Sequence, residues 1–177
     1  MTGSVSASGI DASRAGVNVD NKSQFLKYWQ KEAAATRKVL ERIPDASTYR
    51  PDPKSRTARE IAWLIVREEI ALGDGFEKGT LEWAEVPAPA TMKEVLDAYD
   101  RHHDAVTRKL QAVDAARWDG PVPFMYNGQV IMNEPGIDNA WGFLLDMVHH
   151  RGQLTTYLRP MGAKVPQIYG PSADEPM

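Results

Sequence analysis

Four stretches in which apolar residues return every three or four positions, separated by segments dense in Pro and Gly, constrain this chain more than any other feature. That spacing gathers apolar side chains on one side of a helix, and such a side must be buried against other elements. The first stretch runs from Ser23 to about Ile43, with Phe25, Trp29, Val39, Leu40 and Ile43 on one side. The second runs from about Ala58 to Gly73 or a little beyond, opened by Thr57 and by Glu60 three residues on, a capping-box pair. The third starts at Thr91, where Glu94 repeats the pattern, and continues to about Ala115. The fourth begins near Ile137 and ends before Gly162. Between the second and third, Gly73, Gly75, Gly79 and the VPAPA run at 86–90 make a connecting segment that contains Trp83. Residues 117–136 read as a long ordered crossover with room for a hairpin at Asn127–Gly128. The expected fold is all-α: an up-down four-helix bundle with a long third connection and an extended C-terminal tail that packs Val165, Ile168 and Tyr169 into a surface groove.

The chain of 177 residues is long enough for one domain with a substantial core. Residues 1–20 are rich in Ser, Gly and Ala and carry too little bulk to offset the entropy of ordering, so they read as a disordered arm. The bundle is expected over 21–170 and a short tail over 171–177. With 21 Lys and Arg scattered among 24 Asp and Glu, the net charge of −3 opposes nucleic-acid binding, which needs clustered cations. No apolar run approaches the roughly 18 residues of a membrane span, and the N-terminus has no apolar signal core, so a cytoplasmic protein without membrane contact is expected. Zero cysteine removes disulfides, thiolate ligands and cysteine nucleophiles from consideration. Any metal must be held by nitrogen and oxygen.

Within the fourth stretch, Asp146 and His150 sit four residues apart, one helical turn above the other, and can point at a common atom. In the second, the apolar line Ile61, Leu64, Ile65, Leu72 is interrupted by Glu68, with Glu69 on its flank. If the two helices are neighbours, Glu68, Asp146 and His150 make a set of two carboxylates and one imidazole, a pattern suited to a divalent ion. The alternative is a metal-free pairing, Asp146 holding the His150 ring and the two glutamates meeting Arg67 or Lys78 at the surface. His103 falls on the inward line of the third helix and is a candidate substitute ligand, whereas His149 diverges by about 100° from His150 and reads as a surface residue. Gly152 in mid-helix suggests a close backbone approach, and Arg151 and Gln153 could anchor a neighbouring segment or a dimer contact. The five tryptophans read mostly as core and loop anchors, with a ligand pocket lined by some of them as the alternative, and no Gly-rich phosphate loop or nucleophile elbow occurs.

TAREIAWLIVREE in the second stretch and FLLDMVHHRGQLTTYLRPMG followed by KVPQIYGP in the last together resemble the DinB/YfiT-like superfamily of bacterial four-helix proteins, over about residues 22–170. The resemblance implies a divalent metal, nickel or zinc, held by one histidine of the second helix and a His-x-x-x-His pair of the last. It also implies a homodimer, and activities on small molecules such as thiol-dependent transfer, isomerisation or metal-dependent hydrolysis. A DNA-damage role takes support from the family name alone and is opposed by the acidic charge. This chain departs from the implied ligand set at two positions: Leu64 and Asp146 stand where histidines are expected, and only His150 matches. The metal site implied for this chain is therefore a remodelled one built from His150, Asp146 and Glu68, and a metal-free dimeric binding module of the same fold is the alternative.

Overall fold

A computed structural model describes residues 20–177, so the expected N-terminal arm lies, apart from Asp20, outside the described residues. Four long helices, α1 (Asn21–Leu40), α2 (Ala58–Lys78), α3 (Met92–Ala112) and α5 (Gly136–Leu158), carry the core. Each apolar stripe that the sequence predicts is buried: Phe25 and Trp29 of α1, Ile61 and Ile65 of α2, Val95 and Val106 of α3, Met147 and Leu154 of α5. The two capping boxes form as their spacing requires, Thr57 accepting from the Glu60 amide and Thr91 from the Glu94 amide.

The all-α expectation is wrong. Among the described residues a three-stranded sheet, β1 (Leu81–Trp83), β2 (Pro121–Tyr126) and β3 (Gln129–Pro135), flanks the helices, and a fifth short helix, α4 (Ala115–Asp119), follows α3. β1 runs parallel to β2, and β2 and β3 form an antiparallel hairpin whose two-residue turn is Asn127–Gly128, both with positive φ. Short strands containing Pro121 and Pro123 do not announce themselves in sequence, because proline is tolerated only at a sheet's margin or start and otherwise reads as a loop. The third helix stops at Ala112 rather than running to Ala115, since Asp114 caps a new helix by accepting from the Arg117 amide. The simple up-down order also fails. α1 packs on α3 and α5, and α2 packs on the same two, so the consecutive helices α1 and α2 face each other across the bundle and not side by side.

α2 continues to Lys78 straight through Gly73 and Gly75, which serve packing and not chain breaking. A Cβ at Gly75 would lie 2.2 Å from Leu81 Cδ2 and 2.9 Å from Leu81 Cα, so the absent side chain is what lets β1 lie against α2. Helix propensity alone would favour alanine by about 1 kcal/mol. A clash that includes backbone outweighs it, and Gly75→Ala is expected to destabilise by about 1–3 kcal/mol in urea denaturation. Gly152 is the control: among the described residues no other element brings an atom within 4 Å of its would-be Cβ, against the close approach expected there. Gly152→Ala should stabilise by up to about 1 kcal/mol, and a loss as large as that of Gly75→Ala would refute the packing argument.

The C-terminal segment is extended, with Val165 and Ile168 packed on the core. Tyr169 departs from the expectation: its ring is 66% exposed, and it is held by its hydroxyl, which donates to Glu32 Oε2 and accepts from Arg151. Arg151 thus anchors a neighbouring segment of its own chain. Further along, Asp174 pairs with Arg159 at 3.0 Å and Glu175 with Arg42 at 2.6 Å.

Candidate metal centre and its cavity

α2 and α5 pack against each other, and their facing lines bring Glu68, Asp146 and His150 together. One ligand-type atom from each lies within 4.8 Å of the other two. His150 Nε2 stands 3.3 Å from Glu68 Oε1 and 3.6 Å from Asp146 Oδ1. The Glu68 side chain is buried and that of Asp146 is exposed on the cavity side, so the cluster reaches from the core to solvent.

The far side of the imidazole is also fixed. His150 Nδ1 lies 3.2 Å from Gln153 Oε1, which can only accept, so Nδ1 carries a hydrogen and Nε2 faces the carboxylates. The Gln153 amide in turn donates to His149 Nε2 at 2.9 Å, so His149, which sequence spacing sends away from the site, takes part in orienting it.

Burial pushes the Glu68 carboxyl up to about 7; His150 opposes this rise and Asp146 adds to it. Burial pulls the His150 ring down, but the hydrogen bond and charge of Glu68 outweigh it and the net shift is upward. Glu68 Oε2 is buried and has no hydrogen-bond partner among the described residues. An orphaned carboxylate oxygen at this depth is costly, and a cation would satisfy it. The donor set, two carboxylates and an imidazole nitrogen, therefore fits a divalent ion.

The other predicted candidates separate from this cluster. His103 does not join it: its Nδ1 lies 3.1 Å from Glu69 Oε1, and its ring is stacked between Trp29 and Tyr99 at centroid distances of 5.3 and 5.8 Å. Glu69 accordingly meets His103 and neither Arg67 nor Lys78. Adjacent residues on α2 diverge by about 100°, which sends Glu68 toward α5 and Glu69 toward α3. Leu64, one turn before Glu68, lines the open space in front of the cluster.

That space is a cavity of about 850 Å³. Its apolar wall is built by Leu64 of α2, Phe143 and Leu145 of α5, and three sheet residues, Trp83, Phe124 and Met132. Phe124 and Phe143 meet edge to face at 5.6 Å. Asn139, buried on α5, holds the wall in place by donating to Val122 O at 2.9 Å and Glu134 O at 3.2 Å, one carbonyl from each hairpin strand. Trp83 bears out a pocket lined by some of the tryptophans, whereas Asn139, Phe124 and Met132 carry no such signal in the sequence, because nothing in a single chain tells which loop residues return to a helix. Gln153, at i+3 from His150, was recognisable as its orienting partner from spacing alone.

Residues 17–177 match the DinB family. The uncharacterized protein YrdA of Bacillus subtilis (strain 168) is 31% identical over 159 residues, covering 85% of this chain and 89% of that protein. A DinB-like protein from Bacillus cereus has the same fold with a TM-score of 0.69 at 24% identity, over 83% of this chain and 97% of its own. A second, YjoA from Bacillus subtilis, superposes with a TM-score of 0.66 at 16% identity, over 82% and 96%. A match over nearly the whole of the described chain, together with a relative above 30% identity, establishes that this chain belongs to the DinB family.

Proposed function

We propose that the chain is a metal-dependent protein acting on a small molecule, with Glu68, Asp146 and His150 as its ligands and the 850 Å³ cavity as the substrate chamber. The observation that carries this reading is the unpartnered, buried Glu68 Oε2 beside an imidazole whose Nε2 is turned toward two carboxylates. Nickel or zinc is the ion proposed because membership of the DinB family implies it; an imidazole nitrogen and carboxylate oxygens can hold either. When bound, such an ion supplies Lewis acidity toward a substrate oxygen or toward water, as in transferases and hydrolases. The chain's own residues do the rest. Gln153 holds the His150 tautomer, Glu68 contributes a negative charge once deprotonated, and the aromatic wall excludes water from one side of the chamber.

Protein purified without a nickel column should carry about one nickel or zinc per chain by elemental analysis. Substitution His150→Ala or Glu68→Gln should remove it, and an unchanged metal content in either variant sinks the reading. The ion must also displace a proton from Glu68 at any pH below about 7. The His150 ring, also raised, must lose its Nε2 proton as well, so affinity is expected to rise with pH, by on the order of tenfold per unit or more, until both groups are deprotonated, and then to level off.

The alternative is a metal-free binding module in which His150, Asp146 and Glu68 form a salt-bridged cluster, favoured by the 3.3 and 3.6 Å separations. Both readings keep the proposed homodimer. Support for it comes from β3, an edge strand with Val130, Ile131 and Met132 all exposed, next to exposed Leu145. Light scattering should give twice the chain mass, and Ile131→Lys should return the monomer.

A further inference from the structure

The substrate chamber does not end at its own wall. A second recess of about 380 Å³ shares Arg56, Leu64, Trp83 and Glu85 with it, so the two are continuous along one side of α2. Glu60, Trp63, Leu64 and Arg67 follow one another at i, i+3, i+4 and i+7, and all four face this recess. Its far side is the stretch after β1, held down by a 2.9 Å hydrogen bond from Trp63 Nε1 to Val86 O.

Arg56 and Arg67 both line it. Among the described residues neither Arg56 nor Arg67 has a carboxylate oxygen within 4.0 Å, although five arginine–carboxylate pairs form elsewhere. Arg67 Nε is buried without any partner. Two acids also line the recess: Glu60 Oε2 accepts from the Thr57 amide and hydroxyl at 2.6 and 2.8 Å with the Arg56 charge nearby, and Glu85 Oε1 accepts from Trp83 Nε1 at 3.4 Å. Two arginines free of ion pairs, one with a buried orphan donor, make a site for an oxyanion such as a carboxylate or sulfonate, since the guanidinium fork pairs with such groups through two hydrogen bonds.

From this arrangement we infer that the natural ligand is a bipartite small molecule, an apolar, flat body in the aromatic chamber joined to an anionic terminus that docks on Arg56 and Arg67. Trp83 stands between the two compartments and lies along the body where it passes from one to the other. The inference deepens the small-molecule reading of the chamber and rests on it. It does not depend on which ion, if any, the triad holds.

The probes are 2-naphthalenesulfonate and the neutral 2-naphthalenemethanol, compared by calorimetry on the full chain, both after chelation and after loading with zinc. A sulfonate is a poor metal ligand, so its preference reports the arginines. The expected result is a preference for the sulfonate of about tenfold or more, the scale of one charge-assisted contact. Arg67→Gln should remove most of that preference and Arg56→Gln/Arg67→Gln all of it, while the affinity for the neutral probe stays within about twofold, showing an intact chamber. Equal binding of the two probes, failure of both to bind at millimolar concentration, or a preference that survives the double substitution would each overturn the inference. A preference seen only with zinc present would also overturn it, placing the anion on the metal and leaving the metal reading standing. A preference that persists in His150→Ala, in a protein that proves to bind no metal, would sink the metal reading and uphold this one.

Discussion

Arg151→Ala is expected to destabilise the protein by about 3–5 kcal/mol, the typical consequence of removing one partner from a buried ion pair. The Arg151 and Glu32 side chains are only 3% and 10% exposed, and Arg151 Nη2 lies 2.8 Å from Glu32 Oε2. Arg151 Nη1 also donates to the Glu32 carbonyl at 3.1 Å, so one guanidinium ties α5 to both the side chain and the backbone of α1. Its removal leaves the Glu32 carboxylate in the core without a cation. The same change releases Tyr169, whose hydroxyl links the pair to the C-terminal segment. Urea denaturation measures the loss, and limited proteolysis after Lys164 should accelerate in the variant. Tyr169→Phe separates the two effects: it should loosen the tail at a cost of only about 1–3 kcal/mol, because the ion pair survives. A loss below about 1 kcal/mol for Arg151→Ala would mean that the pair is not buried in solution as it is in the structure.

The second large effect changes sign with the metal. At a nickel or zinc concentration one hundred times the dissociation constant, the wild-type protein should gain about 2.7 kcal/mol, and Glu68→Gln should gain nothing. In the metal-free protein at pH 8 the order reverses. A carboxyl moved from its ordinary 4.5 to about 7 prefers to be neutral in the folded state, and each unit is worth about 1.4 kcal/mol. The stability tied to Glu68 is therefore complete below pH 4.5 and is lost as pH rises through about 7. The raised His150 ring contributes stability of the same sign, complete below 6.5 and lost as pH rises through its folded-state value. Chelated wild-type protein should become less stable between about pH 5 and 8, while Glu68→Gln, with no charge to bury, holds nearly level and is the more stable protein at pH 8 by about 1–3 kcal/mol. Thermal melts across pH, with chelator or with metal, give both halves of the test. A metal-independent ranking would identify the cluster as a plain salt bridge.

These expectations rest on features of unequal visibility in the sequence. The long helices were legible because each carries its own evidence: a periodic apolar stripe, and in α2 and α3 a Thr and Glu at capping-box spacing. Asp146 and His150 were legible as a pair because helical spacing alone puts them on one side. Glu68 could be named because a carboxylate that interrupts an apolar stripe must find a partner. The sheet was not legible. β1 is three residues long, and β2 begins with proline, so their identity as strands comes from pairing with each other and not from local preference. The same limit hid part of the chamber wall, since Phe124 and Met132 reach the cavity only after β1 and the hairpin assemble beside α5.

The division follows from range. Spacing, caps and the Asn127–Gly128 turn act within a few residues, so the sequence by itself determined which segments are helical, where the hairpin turns, and that His150 and Asp146 share a helical side. Whether Glu68 or His103 would meet them depended on which helices are neighbours. That was decided by the crossed order of the bundle, which sets α2 beside both α3 and α5, and by the 100° between Glu68 and Glu69 that sends one carboxylate to each. Tertiary structure alone could orphan Glu68 Oε2 and Arg67 Nε, because a missing partner is a property of the whole surrounding surface and is written in no single segment.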